Sequence, residues 1–178
     1  MKNIIIAIIA FFTIESAKSQ SNEDCKYLSV LTYCRTNTDV NKKIKLFFPS
    51  LVTKKEKYVE FNVSDRIEFL DVSYFKDKLV QGHYGINEDL LANAQEYRKK
   101  FYFEPYQSEL LKNLVQRNQS KLFLTFSKPV GDWLVVQLAA FDPELKRTVK
   151  FGKAMLILFK FNSVGRIEDV MYAGAAYN

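Results

Sequence analysis

Two cysteines and one histidine are the side chains of this 178-residue chain with nucleophilic or soft-ligand chemistry to offer. Cys25 and Cys34 stand nine residues apart, and His83 lies alone in Gln81-Gly82-His83-Tyr84-Gly85, a loop pattern. A Ser-His-acid or Cys-His mechanism needs a nucleophile held against its base, and no Gly-x-Ser-x-Gly elbow is present to partner His83. Two cysteines and one histidine cannot complete a closed structural zinc site from soft ligands alone. The glycines occur singly, so no phosphate-cradling loop forms, and no cofactor or metal is expected. Asp65, Glu68 and Asp71 would share one face if their segment were helical, as ligands for a hard cation such as calcium or simply as a solvated acidic face. Paired carboxylates for glycoside hydrolysis are brought together only in three dimensions, so sequence spacing does not select them.

The compartment decides what the cysteines do. Lys2, an apolar run from Ile4 to Ile14 broken by one Thr, and the small residues Ala17 and Ser19 before Gln20 have the layout of a secretory signal peptide. The run is shorter than the ~20 residues a spanning helix needs. The sequence therefore predicts a leader over residues 1–19, a single mature domain over residues 20–178, and a secreted or periplasmic location, with no transmembrane segment after processing. An oxidising compartment favours a Cys25–Cys34 disulfide. That expectation conflicts with the helical stripe Tyr27, Leu28, Leu31 and Tyr33, because nine residues of helix rise about 13.5 Å and a disulfide tolerates a Cα separation of only about 7 Å. The sequence reading favours the disulfide, with a bend near Ser29; two free thiols are the alternative.

The formal net charge of +6 is spread over several short basic groups, such as Lys42-Lys43-Lys45 and Arg98-Lys99-Lys100, with glutamates among or beside them. A nucleic-acid footprint would concentrate that charge in one stripe, so no nucleic-acid partner is expected. Asn62-Val63-Ser64 and Asn118-Gln119-Ser120 match the glycosylation pattern.

The elements that would hold these residues are centred on Lys153 to Phe161. Its apolar residues are bounded by Gly152 and by the turn signal Asn162 to Gly165, which reads as a central strand buried on both faces. Met155, Ile157, Phe159 and Phe161 would face one way, and Ala154, Leu156 and Leu158 the other. Leu122 to Phe126 and Trp133 to Phe141 read as strands joined through Pro129-Val130-Gly131-Asp132, and Ile167 to Ala173 follows the central strand. Upstream, Ile44 to Phe48 and Tyr58 to Val63 alternate and predict a hairpin, while Asp65 to Tyr74 reads as a helix, with extension of the strand through Ile67 and Phe69 the alternative. Asn87 to Phe101, with its capping Asn and terminal Arg98, Lys99 and Lys100, and Pro105 to Asn118 read as two further helices. The fold class expected is α+β, with an antiparallel sheet whose C-terminal four-strand meander packs against two or three helices, the last two roofing the central strand.

Leu124-Thr125-Phe126-Ser127-Lys128-Pro129, a strand, the Gly152 loop, Leu158-Phe159-Lys160-Phe161 and Gly165-Arg166-Ile167 resemble the C-terminal half of small secreted proteins from flavobacteria and their relatives. The resemblance covers about residues 121–172. It implies export and brings no activity, cofactor or site residue with it.

The function expected from these readings is a non-catalytic binding module for a small apolar ligand or an envelope protein. A carboxylate-dependent hydrolase and a structural or inhibitory partner of a surface protein are the competing classes. An enzyme should bring acids together in a cleft, a carrier should present an apolar pocket, and a protein-binding module should present an open sheet edge or an aromatic patch.

Overall fold

The computed structural model describes residues 22–52, 57–70, 72–81, 106–114, 120–142, 147–148 and 152–177. The leader, His83 and the helix expected over Asn87 to Phe101 lie outside them.

Helix α1 covers residues 22–36 without a break. Tyr27, Val30, Leu31 and Cys34 recur at helical spacing and are buried. Asn37 interrupts the helix and starts α2 (Thr38–Phe47): its side chain accepts hydrogen bonds from the backbone N–H groups of Asp39 and Val40 at 2.9 and 3.1 Å. The expected strand from Ile44 to Phe48 is therefore a helix. Val40 and Ile44 are buried while Leu46 is 81% exposed, so the period is 3.6, not two. Asn41 ties this corner to the next segment. Its buried side chain donates to the carbonyls of Cys34 and Asn37 and accepts from the N–H of Val59. Asn37→Ala should lower stability by about 1 kcal/mol through loss of the cap. Chemical denaturation would measure it, and an unchanged midpoint would contradict the α1–α2 junction.

Strand β1 (Asn62–Ile67) begins later than the sequence reading placed it and runs through the segment expected to be helical. A 3₁₀ turn (Val72–Phe75) and helix α3 (Lys76–Gln81) follow. The Asp65–Tyr74 helix is thus corrected: Ile67 pairs with Phe126, and the Glu68 N–H donates to the Phe126 carbonyl at 2.9 Å. Strand β2 (Tyr106–Gln107) then pairs with β1, and helix α4 (Glu109–Leu114) starts on Ser108, so Tyr106 belongs to a strand and not to a helical stripe. The Ser108 hydroxyl accepts from the N–H of Leu111.

The meander forms as expected from β3 (Leu122–Phe126), β4 (Trp133–Asp142), β6 (Gly152–Phe161) and β7 (Ile167–Tyr177), with the short β5 (Arg147–Thr148) added against β4. Gly131 (φ 54°) and Gly165 (φ 75°) supply the left-handed backbone of the two hairpin turns. The Asn162 side chain accepts from the N–H groups of Val164 and Arg166. Among the described residues the strand order is β2-β1-β3-β4-β6-β7. β1 runs parallel to β3 and the other pairings are antiparallel, so the sheet is mixed.

β6 lies between β4 and β7 and is buried on both faces. Met155, Ile157, Phe159 and Phe161 join one core with α1, α2 and Leu111 of α4; Ala154, Leu156 and Leu158 join another with Val72, Phe75 and Leu79. Among the described residues the first face is thus roofed by the N-terminal helices and by α4, which adds Leu111 as the second of the helices expected after Ile86; the first, over Asn87 to Phe101, lies outside the described residues. Tyr27 stacks edge-on against Phe126 and Tyr33 against Phe159, with centroids 5.3 and 5.7 Å apart. At the other end of α1 the buried Lys26 donates its ammonium to the Gly131 carbonyl at 2.5 Å, with the Phe161 ring 5.4 Å from it. That contact fastens the helix to the β3–β4 turn.

Candidate functional site

The sequence-predicted pair does not form a site. Cys25 is exposed and Cys34 buried, both are free thiols, and the unbroken α1 holds them nine residues apart. The disulfide expectation is corrected for the reason that opposed it: a helix separates residues so spaced by about 13.5 Å. Burial pushes the Cys34 thiol up to about 12, which keeps it protonated and a poor nucleophile.

The acidic trio also disperses. Asp65 is in β1, Glu68 is exposed beyond its end, and Asp71 lies outside the described residues. No group of three or more His, Cys, Asp or Glu able to hold a metal occurs among the described residues. Asn62, one glycosylation match, is buried in β1 with its amide donating to the Ser120 carbonyl.

Thr125 and Ser127 alternate with the apolar residues of β3, and both are buried. Thr125 pairs with Gln137, so two buried polar residues lie in one row on the second face of the sheet, and Ser64 of β1 is buried as well. The Ser64 hydroxyl accepts from the Arg66 N–H. Burying polar side chains is costly unless they are bonded, which makes such a row a specifying feature of the interior.

The arrangement with the clearest capacity to recognise another molecule is β7, where the strand order of the described residues ends. The direction of its backbone groups follows from the ladders. The Phe161 N–H donates to the Asp132 carbonyl, so odd-numbered residues of β6 bond toward β4 and even-numbered ones toward β7. The β6–β7 register then turns Ala173 and Ala175 inward and Val170, Tyr172, Gly174 and Ala176 outward. Two contacts agree with that parity. The Asp169 carboxylate accepts from the Val170 N–H at 2.7 Å, and the Lys78 ammonium donates to the Tyr172 carbonyl. Gly174 and Ala176 are exposed.

Helices flank this edge on both sides. From α2, Phe47 reaches the position a Cβ on Gly174 would meet at 3.2 Å, and the Lys43 ammonium lies 4.7 Å from the centroid of the Tyr172 ring. From the other side comes α3, with Lys78. The Tyr172 phenol is raised above its usual pKa by burial first, then by Tyr33, Cys34 and Asp39. Tyr33 is raised by burial first, then by Cys34, Asp39 and Asp169. Both phenols stay neutral at physiological pH and act as packing groups with a polar tip. What this surface can do chemically is donate and accept backbone hydrogen bonds, between walls that carry apolar side chains and ammonium groups.

The sequence contained one hint of it, the small residues Ala173 to Ala176, which suggest either close packing or a loosely paired tail. They continue β7 and pair residue by residue with β6. No helix among the described residues is long and apolar enough to cross a membrane. Comparison with protein-family models, with curated proteins and with solved structures finds no match for the chain.

Proposed function

We propose that the mature chain is an exported, non-catalytic binding module that engages a protein partner by accepting an extended segment along β7. The leader-like residues 1–19 support export to the periplasm or beyond. The observation that carries the binding reading is the pair of exposed residues, Gly174 and Ala176, whose N–H and C=O groups point away from the sheet at the end of its strand order. An open edge offers a row of main-chain donors and acceptors that another strand can complete, with specificity supplied by the pockets beside it.

Two neighbouring prolines test the reading. Proline lacks an N–H and is tolerated on edges, so Ala176→Pro should leave stability within about 0.5 kcal/mol while removing an outward donor. Ala175→Pro deletes a donor bonded to β6 and should cost about 1–3 kcal/mol. A partner that co-purifies with the full mature chain from envelope extracts should be lost with Ala176→Pro. Retention of that partner by a stably folded Ala176→Pro chain would refute strand addition at this edge.

A further inference from the structure

We infer that the segment received by β7 carries, two residues apart on the face turned to α2, an apolar residue over Gly174 and a carboxylate reaching Lys43; this rests on the strand-addition reading above. Side chains of an added strand lie on the same face as the residues directly opposite. A residue opposite Gly174 therefore projects to the α2 side. There the Phe47 ring packs closely over Gly174, and Leu46, three residues on from Lys43 on α2, is 81% exposed. An apolar side chain in that position packs against the edge of the ring and toward Leu46. A polar one would be desolvated there without a partner.

Two residues along on the same face is the position opposite Tyr172. Lys43 stands over that ring, exposed to solvent on its other side. Asp39, one turn earlier on α2, lies 3.5 Å from the Lys42 ammonium, and Asp169 accepts from the Val170 N–H. Exposed beside the edge, Lys43 can meet a carboxylate brought by the incoming segment. From the α3 side, Lys78 occupies the Tyr172 carbonyl in the place an incoming N–H would take. As the strand extends to Tyr172, that N–H replaces the lysine, and the freed ammonium returns to solvent. In the free protein Lys78 and Asp169 cap one outward group each, which shortens the open edge to Gly174 and Ala176 and guards it against pairing with the edge of a second copy.

The test uses the full mature chain and two fluorescein-labelled nonapeptides with threonine at every second position, one with valine and glutamate taking turns at the positions between and one with valine and lysine there, with binding read by fluorescence anisotropy. The valine–glutamate peptide should bind saturably and at least about tenfold more tightly at low salt, the difference shrinking as salt is added. Lys43→Ala should weaken it roughly threefold to fivefold, the range of an exposed ion pair, and Ala176→Pro should abolish it. Equal binding of both peptides, each lost in Ala176→Pro, would overturn the acidic preference and leave strand addition standing. Binding of the valine–glutamate peptide that survives Ala176→Pro, or binding of neither peptide, would overturn the inference, while strand addition itself is judged by the co-purification above.

Discussion

Phe159→Ala is expected to destabilise the fold by about 3–5 kcal/mol, the range for removing a buried aromatic ring. Phe159 is fully buried in β6, opposite Leu134 of β4 and Val170 of β7, and its ring meets Tyr33 of α1 edge-on at 5.7 Å. Its removal leaves a cavity bounded by three strands and a helix, which can collapse only if α1 shifts. The Lys26 contact to Gly131 and the Asn41 bonds to Cys34 and Val59 resist that shift. Val164→Ala provides the contrast: Val164 is 74% exposed in the β6–β7 turn, and the change should stay within about 0.5 kcal/mol. Urea titration of the two variants would measure both values. A loss below about 1 kcal/mol at Phe159 would remove β6 from the centre of the core.

The second large effect is alkaline destabilisation through Cys34. Its thiol is pushed from 9.0 to about 12 by burial. Because the folded value lies above the unfolded one, the unfolded chain releases its proton first and binds fewer protons over this window. Stability is therefore undiminished below about pH 9 and falls as pH rises from there. One group shifted in this way removes about 1.4 kcal/mol per pH unit, on the order of 4 kcal/mol by pH 12. Comparing wild type with Cys34→Ala between pH 9.5 and 11 isolates this contribution from that of the tyrosines, since only the wild-type slope should contain it. Equal slopes would mean that Cys34 does not titrate as a buried free thiol. Alkylation at pH 8 adds a direct check: the native chain should label once, at Cys25, and the denatured chain twice.

The parts of this fold legible in the sequence were those decided by local pattern. The apolar run of β6 between Gly152 and Asn162 identified a strand buried on both faces, and both of its side-chain rows are indeed in cores. The turns at Gly131 and Gly165 were readable because each requires a left-handed backbone. What could not be read depended on distant partners. Ile44, Leu46 and Phe48 alternate like a strand, and Val40, Ile44 and Phe47 recur like a helix; the cap from Asn37 and the tertiary bonds of Asn41 select the helix. Asp65 and Glu68 resemble a capping pair, yet pairing of Ile67 with Phe126, far along the chain, holds that segment extended.

The candidate site was less legible still. Cysteine chemistry and export both favoured a disulfide, while the helical stripe through Tyr27 and Leu31 pointed to the continuous α1 that forms and keeps the thiols apart. The small residues of β7 were visible as composition, but which of their amides face outward follows only from the register of β7 on β6 and of β6 on β4. Likewise, Lys43 and Lys78 are ordinary surface lysines in the sequence and become edge-flanking groups only once α2 and α3 lie on either side of Tyr172.

Residue-resolved hydrogen exchange along β7 tests the central claim most directly. The free protein should show slow exchange at the amides of Ala173 and Ala175, which bond to β6, and fast exchange at Gly174 and Ala176, which face away from the sheet. Uniform protection across Ala173 to Ala176, or the opposite alternation, would contradict the open edge on which the proposed binding rests.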